Sequence, residues 1–160
     1  MNAYLNKILH AFGHDDIEDL EQMLGLWSDS PYTVSIARSV TFETCHHLPK
    51  TPEGHKCRNL HGHSYRVELW VTGQVRSDGF VVDNAELDDT LKAVREIFDH
   101  SPRGSMNDMG FPVLSENPTA ENLAIWIWRL ARANPAFMGC TIKVRIYEGP
   151  NSIFEFAPER

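Results

Sequence analysis

Residues 61–72 have the sequence HGHSYRVELWVT, in which apolar side chains take every second position. Alternation with a period of two predicts a β-strand with one buried face, because successive side chains of a strand point to opposite sides. His61 and His63 continue the apolar face toward the start of the strand, so both imidazoles project to one side. The apolar part of that face carries Tyr65, Val67, Leu69 and Val71.

Two imidazoles on one side of a strand become a metal site when a neighbouring strand supplies a third ligand. His46 and His47 lie near the end of the preceding predicted strand, Tyr32 to Leu48, and either can supply it. Three histidine ligands leave a fourth position open, which is typical of catalytic rather than structural zinc. Iron and nickel also accept imidazole. An isolated H-x-H pair is more often a chance pair on a surface strand.

The rest of the chain predicts an α+β fold. Residues 1–31 have a helical period and form an N-terminal extension, and residues 32–160 form the main domain. Asp83 and Thr119 can each cap a helix of that domain. We expect one antiparallel sheet with the element order β-β-α-α-β-β and both helices on one face. The two closing strands cover Thr141 to Tyr147 and Ile153 to Phe156.

Composition indicates the compartment and the partners. The chain has 15 Lys and Arg against 22 Asp and Glu, a net charge of −7, which disfavours a nucleic-acid-binding surface. No 18 apolar residues run together, and the acidic N-terminal region does not resemble a signal peptide. The chain has three cysteines, an odd number, and no two of them form a C-x-x-C pair. This pattern favours free thiols. We expect a cytoplasmic protein that binds neither nucleic acid nor a membrane.

Other polar residues suit catalysis. Cys57 lies four residues before His61, and a thiolate near a divalent cation can act as a base or a nucleophile. The alternatives are a fourth zinc ligand or a buried thiol. Asp99 and His100 end the first long helix, where an aspartate can orient an imidazole for proton transfer. A histidine is favoured at a helix C-terminus in any case. Glu148, alone, is more typical of a solvated turn residue.

Taken together, these residues resemble the 6-pyruvoyl-tetrahydropterin synthase superfamily. Within it they are most similar to the 6-carboxy-tetrahydropterin synthase branch of the queuosine (7-deazaguanine) pathway. The run from Pro52 to Tyr65, PEGHKCRNLHGHSY, is highly specific, and the spacing of three residues between Cys57 and His61 resembles the carboxy branch. Further matches follow in the family's order: FETCHHL at 42–48, FDH at 98–100, NPTAENL at 117–123 and VRIYE at 144–148.

The resemblance implies a metal and a nucleophile. It selects His46 over His47, so that His46, His61 and His63 match the zinc ligands. Cys57 matches the catalytic thiol. Zn²⁺ is therefore the expected cofactor.

The resemblance also implies how a substrate is handled. Asp99 and His100 match the second half of a proton-transfer system. Glu148 matches the carboxylate that grips the guanidine-like edge of a pterin through charge-assisted hydrogen bonds. The implied fold is the tunnelling fold, assembled into homo-oligomers, commonly hexamers, with active sites between subunits.

The implied reaction converts 7,8-dihydroneopterin triphosphate to 6-carboxy-5,6,7,8-tetrahydropterin, acetaldehyde and triphosphate. The alternatives are a 6-pyruvoyl-tetrahydropterin synthase, a zinc hydrolase that needs no Cys57, and a non-catalytic relative that binds zinc or pterin. Three departures from the family pattern bear on substrate choice: Asn84, Gly149 and the long loop at residues 101–106.

Overall fold

A four-stranded antiparallel sheet is the centre of the fold in the computed structural model, which describes residues 7, 9–11, 13 and 32–158. The strands lie side by side in the order of the sequence. In the register between the second and third strands, Tyr65 lies opposite Glu148. The predicted sheet is therefore confirmed. Its strands are β1 (Thr33–His46), β2 (His61–Gln74), β3 (Thr141–Glu148) and β4 (Ser152–Phe156).

Three helices lie between β2 and β3: α1 (Asn84–Phe98), α2 (Pro112–Glu116) and α3 (Ala120–Arg132). Both predicted caps are present. The Asp83 carboxylate accepts a hydrogen bond from the Ala85 N–H at 2.9 Å, and the Thr119 hydroxyl accepts from the Asn122 N–H at 3.3 Å. α2 lies in a stretch predicted to be a loop. It starts on a proline, which is favoured in the first turn of a helix, but its five residues are too few to show a helical period.

One face of the sheet and both long helices share a single core. The alternating side chains of β2 after Tyr65 are fully buried, as are their neighbours on β3. Phe42 of β1 stacks between Tyr65 and Phe98, with ring centroids 5.4 and 5.6 Å away. Phe98 of α1 contacts Trp126 of α3 edge to face. The helices therefore cover the same face of the sheet, as predicted.

The other face of the sheet carries charged and aromatic side chains. Arg145 contacts Glu68 and Glu155, and its guanidinium lies 5.8 Å from the Trp70 ring centroid. Arg66 lies over the ring of Tyr147 at 3.8 Å. Side-chain alternation along β2 and β3 thus separates an apolar face from a polar face.

The predicted extension at residues 1–31 lies outside the described residues, apart from residues 7, 9–11 and 13, of which 7 and 9–11 are helical. Residues 34–160 form a compact unit of their own. Within the described part of the chain, no helix has the length and apolar character needed to cross a membrane.

Candidate metal centre and active site

Three histidines meet where β1 ends and β2 begins. His46 is the last residue of β1, and His61 and His63 are the first and third residues of β2. Their ligand nitrogens all lie within 4.8 Å of one another. His46 is 2% exposed, and the other two are half-buried. The alternation of β2 and the pairing of the two strands therefore bring three imidazoles together.

The outer nitrogens of two of these rings are held by main-chain carbonyl groups. His46 Nδ1 donates a hydrogen bond to Pro118 O at 2.7 Å, and His61 Nδ1 donates to Asn59 O at 2.8 Å. Because a carbonyl oxygen can only accept, each Nδ1 carries a proton, and in the neutral ring each Nε2 then has a free lone pair. Such outer partners fix the tautomer and the orientation of metal-ligating histidines.

The inner nitrogens of the same two rings face each other. His46 Nε2 and His61 Nε2 lie 3.2 Å apart. Two lone pairs at this distance repel unless a cation lies beside them. Burial lowers the pKa of His46, and the neighbouring His61 lowers it further, against the opposing effect of the Pro118 carbonyl. A neutral ring is the form that binds a metal, so these residues fit a divalent ion such as zinc.

His47, the alternative ligand, has a different environment. Its main-chain N–H donates to Asn107 Oδ1 at 3.0 Å, and its carbonyl accepts from Asn107 Nδ2 at 3.0 Å. Among the described residues, the histidine cluster includes His46 and not His47. Asn107 therefore fixes the main chain beside the buried His46 without entering the cluster.

Glu148 stands beside the three imidazoles. Its Oε1 lies 3.9 Å from Nε2 of both His46 and His63. The same oxygen accepts a 2.6 Å hydrogen bond from the hydroxyl of Tyr65, its cross-strand neighbour. Burial raises the pKa of Tyr65, and the Glu148 carboxylate raises it further by a smaller amount. The Tyr65 hydroxyl therefore remains a neutral donor. The last residue of β3 is thus part of the site rather than a solvated turn residue.

Cys57 lies in the same cleft as the histidines and Glu148. The cleft has a volume of about 560 Å³. Cys57 is in a 3₁₀ turn, Lys56–Arg58, where its N–H donates to His55 Nδ1 and its carbonyl accepts from the Leu48 N–H at 2.7 Å. Both main-chain groups are therefore held, and the thiol has a defined place in the cleft. The cleft is also lined by Leu48, Lys56, Thr119, Glu121 and Phe154.

Asp99 and His100 form a hydrogen-bonded pair after α1. Asp99 Oδ1 lies 3.0 Å from His100 Nδ1 and accepts from the Glu43 N–H at 2.9 Å. Both contacts lower the pKa of Asp99, and the hydrogen bond from the Glu43 N–H has the larger effect. The His100 N–H donates to the Glu43 carbonyl, and His100 has a φ of 49°, in the left-handed region. β1 therefore holds the pair through its main chain.

His100 faces a different cleft from Cys57. Its side chain is 76% exposed and lines a cleft of about 460 Å³. His63 lines both clefts, but within the described part of one chain Cys57 and His100 do not share one. In one chain the two residues thus line separate clefts. The other residues of the His100 cleft include Glu43, Thr44, Cys45, Gly62 and Ser64.

Sequence reasoning missed three parts of the site. Tyr65 was assigned to the core, and its hydroxyl gave no separate signal. The contact of Asn107 with His47 spans 60 residues, so no local pattern indicates it. The Pro118 and Asn59 carbonyls are main-chain groups, which leave no mark in a sequence. Only the register of β2 against β3 could have placed Tyr65 beside Glu148.

Comparison with known proteins identifies a family and several similar proteins. The family model described as 6-pyruvoyl tetrahydropterin synthase matches residues 35–159. A Pyrococcus abyssi protein named "Putative 6-carboxy-5,6,7,8-tetrahydropterin synthase" is 28% identical over 144 residues, covering 76% of this chain and 91% of that protein. A Drosophila melanogaster 6-pyruvoyl tetrahydrobiopterin synthase is 31% identical over 137 residues, covering 76% of this chain and 77% of its own length.

Comparison with solved structures finds proteins of the same family. The structure of Caenorhabditis elegans 6-pyruvoyl tetrahydropterin synthase superposes with a TM-score of 0.66 and 26% sequence identity, covering 80% of this chain and 97% of that one. The family match extends over both long helices and over the sheet except for the first two residues of β1. This chain, a tunnelling-fold protein, is therefore a member of the 6-pyruvoyl tetrahydropterin synthase family of pterin-processing enzymes.

Proposed function

We propose that this protein is a zinc-dependent lyase that converts 7,8-dihydroneopterin triphosphate to 6-carboxy-5,6,7,8-tetrahydropterin, acetaldehyde and triphosphate. One water is taken up, because the triphosphate leaves with its bridging oxygen. The product would enter queuosine (7-deazaguanine) biosynthesis. The free cysteines support a cytoplasmic location.

One observation carries the proposal: the three facing imidazoles, Cys57 and Glu148 line a single cleft of about 560 Å³. A zinc hydrolase would need only the imidazoles and an open position for water. It would have no use for a thiol beside the metal or for a carboxylate at the end of β3. The combination suits a polyhydroxylated heterocycle whose two ends need different partners.

The residues have separate tasks. His46, His61 and His63 would hold zinc, which lowers the pKa of hydroxyl groups near it. The Cys57 thiolate would accept a proton from the substrate side chain, and His100 would carry a second proton, oriented by Asp99. Glu148 would bind the guanidine-like edge of the pterin. These transfers move protons along C1′ and C2′, after which triphosphate leaves and the C–C bond is cleaved.

The separation of Cys57 and His100 into two clefts supports an assembly in which a second subunit completes each site. His100 is exposed and its cleft is open. In a closed ring of identical chains, one surface of each subunit meets a different surface of the next. We therefore propose a homo-oligomer, a hexamer by resemblance, with Cys57 and His100 supplied by different chains.

The runner-up function is a 6-pyruvoyl-tetrahydropterin synthase, which uses the same substrate and retains the side chain. The support for it is the Drosophila 6-pyruvoyl tetrahydrobiopterin synthase. This chain is 31% identical to that relative and 28% identical to the carboxy-type relative from Pyrococcus abyssi. The short spacing from Cys57 to His61 favours the carboxy reaction. The two reactions are separated by their products.

Turnover of two cysteine variants tests the proposal. Purified zinc-loaded protein is given 7,8-dihydroneopterin triphosphate, and triphosphate release is followed. We expect Cys57→Ala to lose at least about 100-fold in kcat, because general acid–base catalysis contributes that much. Cys140→Ala, which changes a thiol in a separate cleft beside Trp128, should retain activity. Equal turnover in both variants would favour the hydrolase and contradict the proposal.

A further inference from the structure

We propose that Tyr65 is a positioning residue that keeps Glu148 out of the metal's coordination sphere and directs its second oxygen to the substrate. Only the second part of this proposal, that the second oxygen of Glu148 is directed to the substrate, rests on the proposed function. The first half concerns the protein and a divalent ion alone. The two halves therefore have separate tests.

The first step is the distance between Glu148 and the imidazoles. Ligand atoms bound roughly 2.0–2.2 Å from a tetrahedral zinc ion lie about 3.4 Å from one another. Glu148 Oε1 lies 3.9 Å from Nε2 of both His46 and His63. A small rotation of the carboxylate would bring Oε1 into ligand range. A carboxylate is an ordinary zinc ligand, so with an ion bound Glu148 would close the open position unless another group held its Oε1.

The Tyr65 hydroxyl supplies that reason. It donates a 2.6 Å hydrogen bond to Oε1, the oxygen that faces the imidazoles. Short hydrogen bonds from a hydroxyl to a carboxylate are among the stronger ones in proteins. Oε1 therefore already has a partner, and Oε2 remains for a ligand in the cleft.

The Tyr65 hydroxyl is held in place, because the ring that carries it is buried and packed on several sides. Tyr65 is 1% exposed and stacks on Phe42 at 5.4 Å. Its ring also contacts His46 and His63 edge-on, with centroids 6.3 and 5.9 Å away. Buried rings packed on several sides keep one rotamer. Tyr65 is thus a fixed donor on β2, directly opposite the residue that it holds.

Removal of this hydroxyl should convert Glu148 into a ligand. In Tyr65→Phe the ring and its packing remain, but Oε1 loses its donor. A bound divalent ion is then the nearest positive partner for that oxygen. Glu148 should turn toward it, fill the open position and withdraw from the substrate edge.

Cobalt(II) provides a readout that does not depend on activity. Its visible absorption reports the ligand set, so the cobalt-loaded full-length protein can be compared with its variants. We expect Tyr65→Phe to shift the visible bands, and the double variant Tyr65→Phe, Glu148→Gln to return them to the wild-type position. Tyr147→Phe is the matched control, because Tyr147 lies on the polar face of the same strand pair under Arg66. Its spectrum should equal that of the wild type.

The cobalt comparison decides the proposal. An unchanged spectrum in Tyr65→Phe overturns it, as does a shift that persists in the double variant or a protein that binds no cobalt. A second measurement uses 7,8-dihydroneopterin as a probe in the zinc-loaded protein. We expect about a tenfold lower affinity in Tyr65→Phe, the size of one lost hydrogen bond to a charged group. Failure of the wild type to bind this probe would count against the proposed function, while the spectra would still decide the role of Tyr65.

Discussion

His46 Nε2 and His61 Nε2 face each other at 3.2 Å, while the Nδ1 atom of each ring donates to a carbonyl on the opposite side. The arrangement is stable only with a positive charge beside the two lone pairs. Burial lowers the pKa of His46, so a proton is a poor source of that charge. A metal ion is a better source of positive charge, and its removal should lower the stability of the whole domain.

We predict that a chelator lowers the midpoint of thermal unfolding by on the order of 10 °C. Ion binding at about 1,000 times its dissociation constant stabilises the folded state by about 4 kcal/mol, and each kcal/mol shifts the midpoint by a few degrees in a domain of this size. Differential scanning fluorimetry with and without zinc measures the shift. His61→Ala should lack the shift, and an equal shift in that variant would contradict the assignment of the site.

Asn107 should matter for metal affinity although it contacts no imidazole. Its amide makes two 3.0 Å hydrogen bonds with the main chain of His47, next to the buried His46 of the histidine cluster. We expect Asn107→Ala to weaken zinc binding by about tenfold, the lower end of the effect of outer-shell changes. Competition with a chromophoric chelator measures it. Asn151→Ala, in the exposed turn before β4, is the control and should bind zinc as the wild type does.

Asp99 should stabilise the fold in a pH-dependent way. The Glu43 N–H and His100 lower its folded pKa below the usual 3.8, so its contribution is present above that value and is lost as the pH falls through the folded pKa. Asp99→Asn should therefore unfold at a lower temperature than the wild type at neutral pH. The difference should shrink below about pH 4.

The control for Asp99 is Asp89→Asn, which changes an exposed carboxylate on α1. It should show little difference from the wild type at neutral pH. A difference for Asp99→Asn that stays constant down to pH 3 would contradict the assigned role of its charge.

Mixed oligomers test whether two chains build one site. Cys57→Ala and His100→Ala should each be inactive alone. After joint unfolding and refolding in equal amounts, about a quarter of the sites should combine an intact Cys57 with an intact His100 from the neighbouring chain. Recovery of about a quarter of the wild-type activity is the expected result. If both residues came from the same chain, no intact site would form and no activity would return.

Local chemistry made much of this structure predictable. The period-two pattern after His61 and the caps Asp83 and Thr119 are short-range signals, and each placed its element within a few residues. Strand alternation also put His61 and His63 on one side. The start of β2 and of both long helices could be predicted because neighbouring residues determine them.

The remaining features depend on distant residues. The choice between His46 and His47 is decided by which side chain enters the cluster and finds Pro118 O, 72 residues away. The pairing of Tyr65 with Glu148, 83 residues apart, requires the register of two strands. α2 is too short to carry a period of its own. A single sequence has no local signal for any of these contacts.

Product identification by mass spectrometry is the most direct test of the proposed function. The zinc-loaded protein is incubated with 7,8-dihydroneopterin triphosphate, and the pterin products are compared with those of Cys57→Ala. We predict 6-carboxy-5,6,7,8-tetrahydropterin together with acetaldehyde, and neither from the variant. 6-Pyruvoyl-tetrahydropterin would instead identify the runner-up reaction. An unchanged substrate in the presence of bound zinc would contradict both reactions.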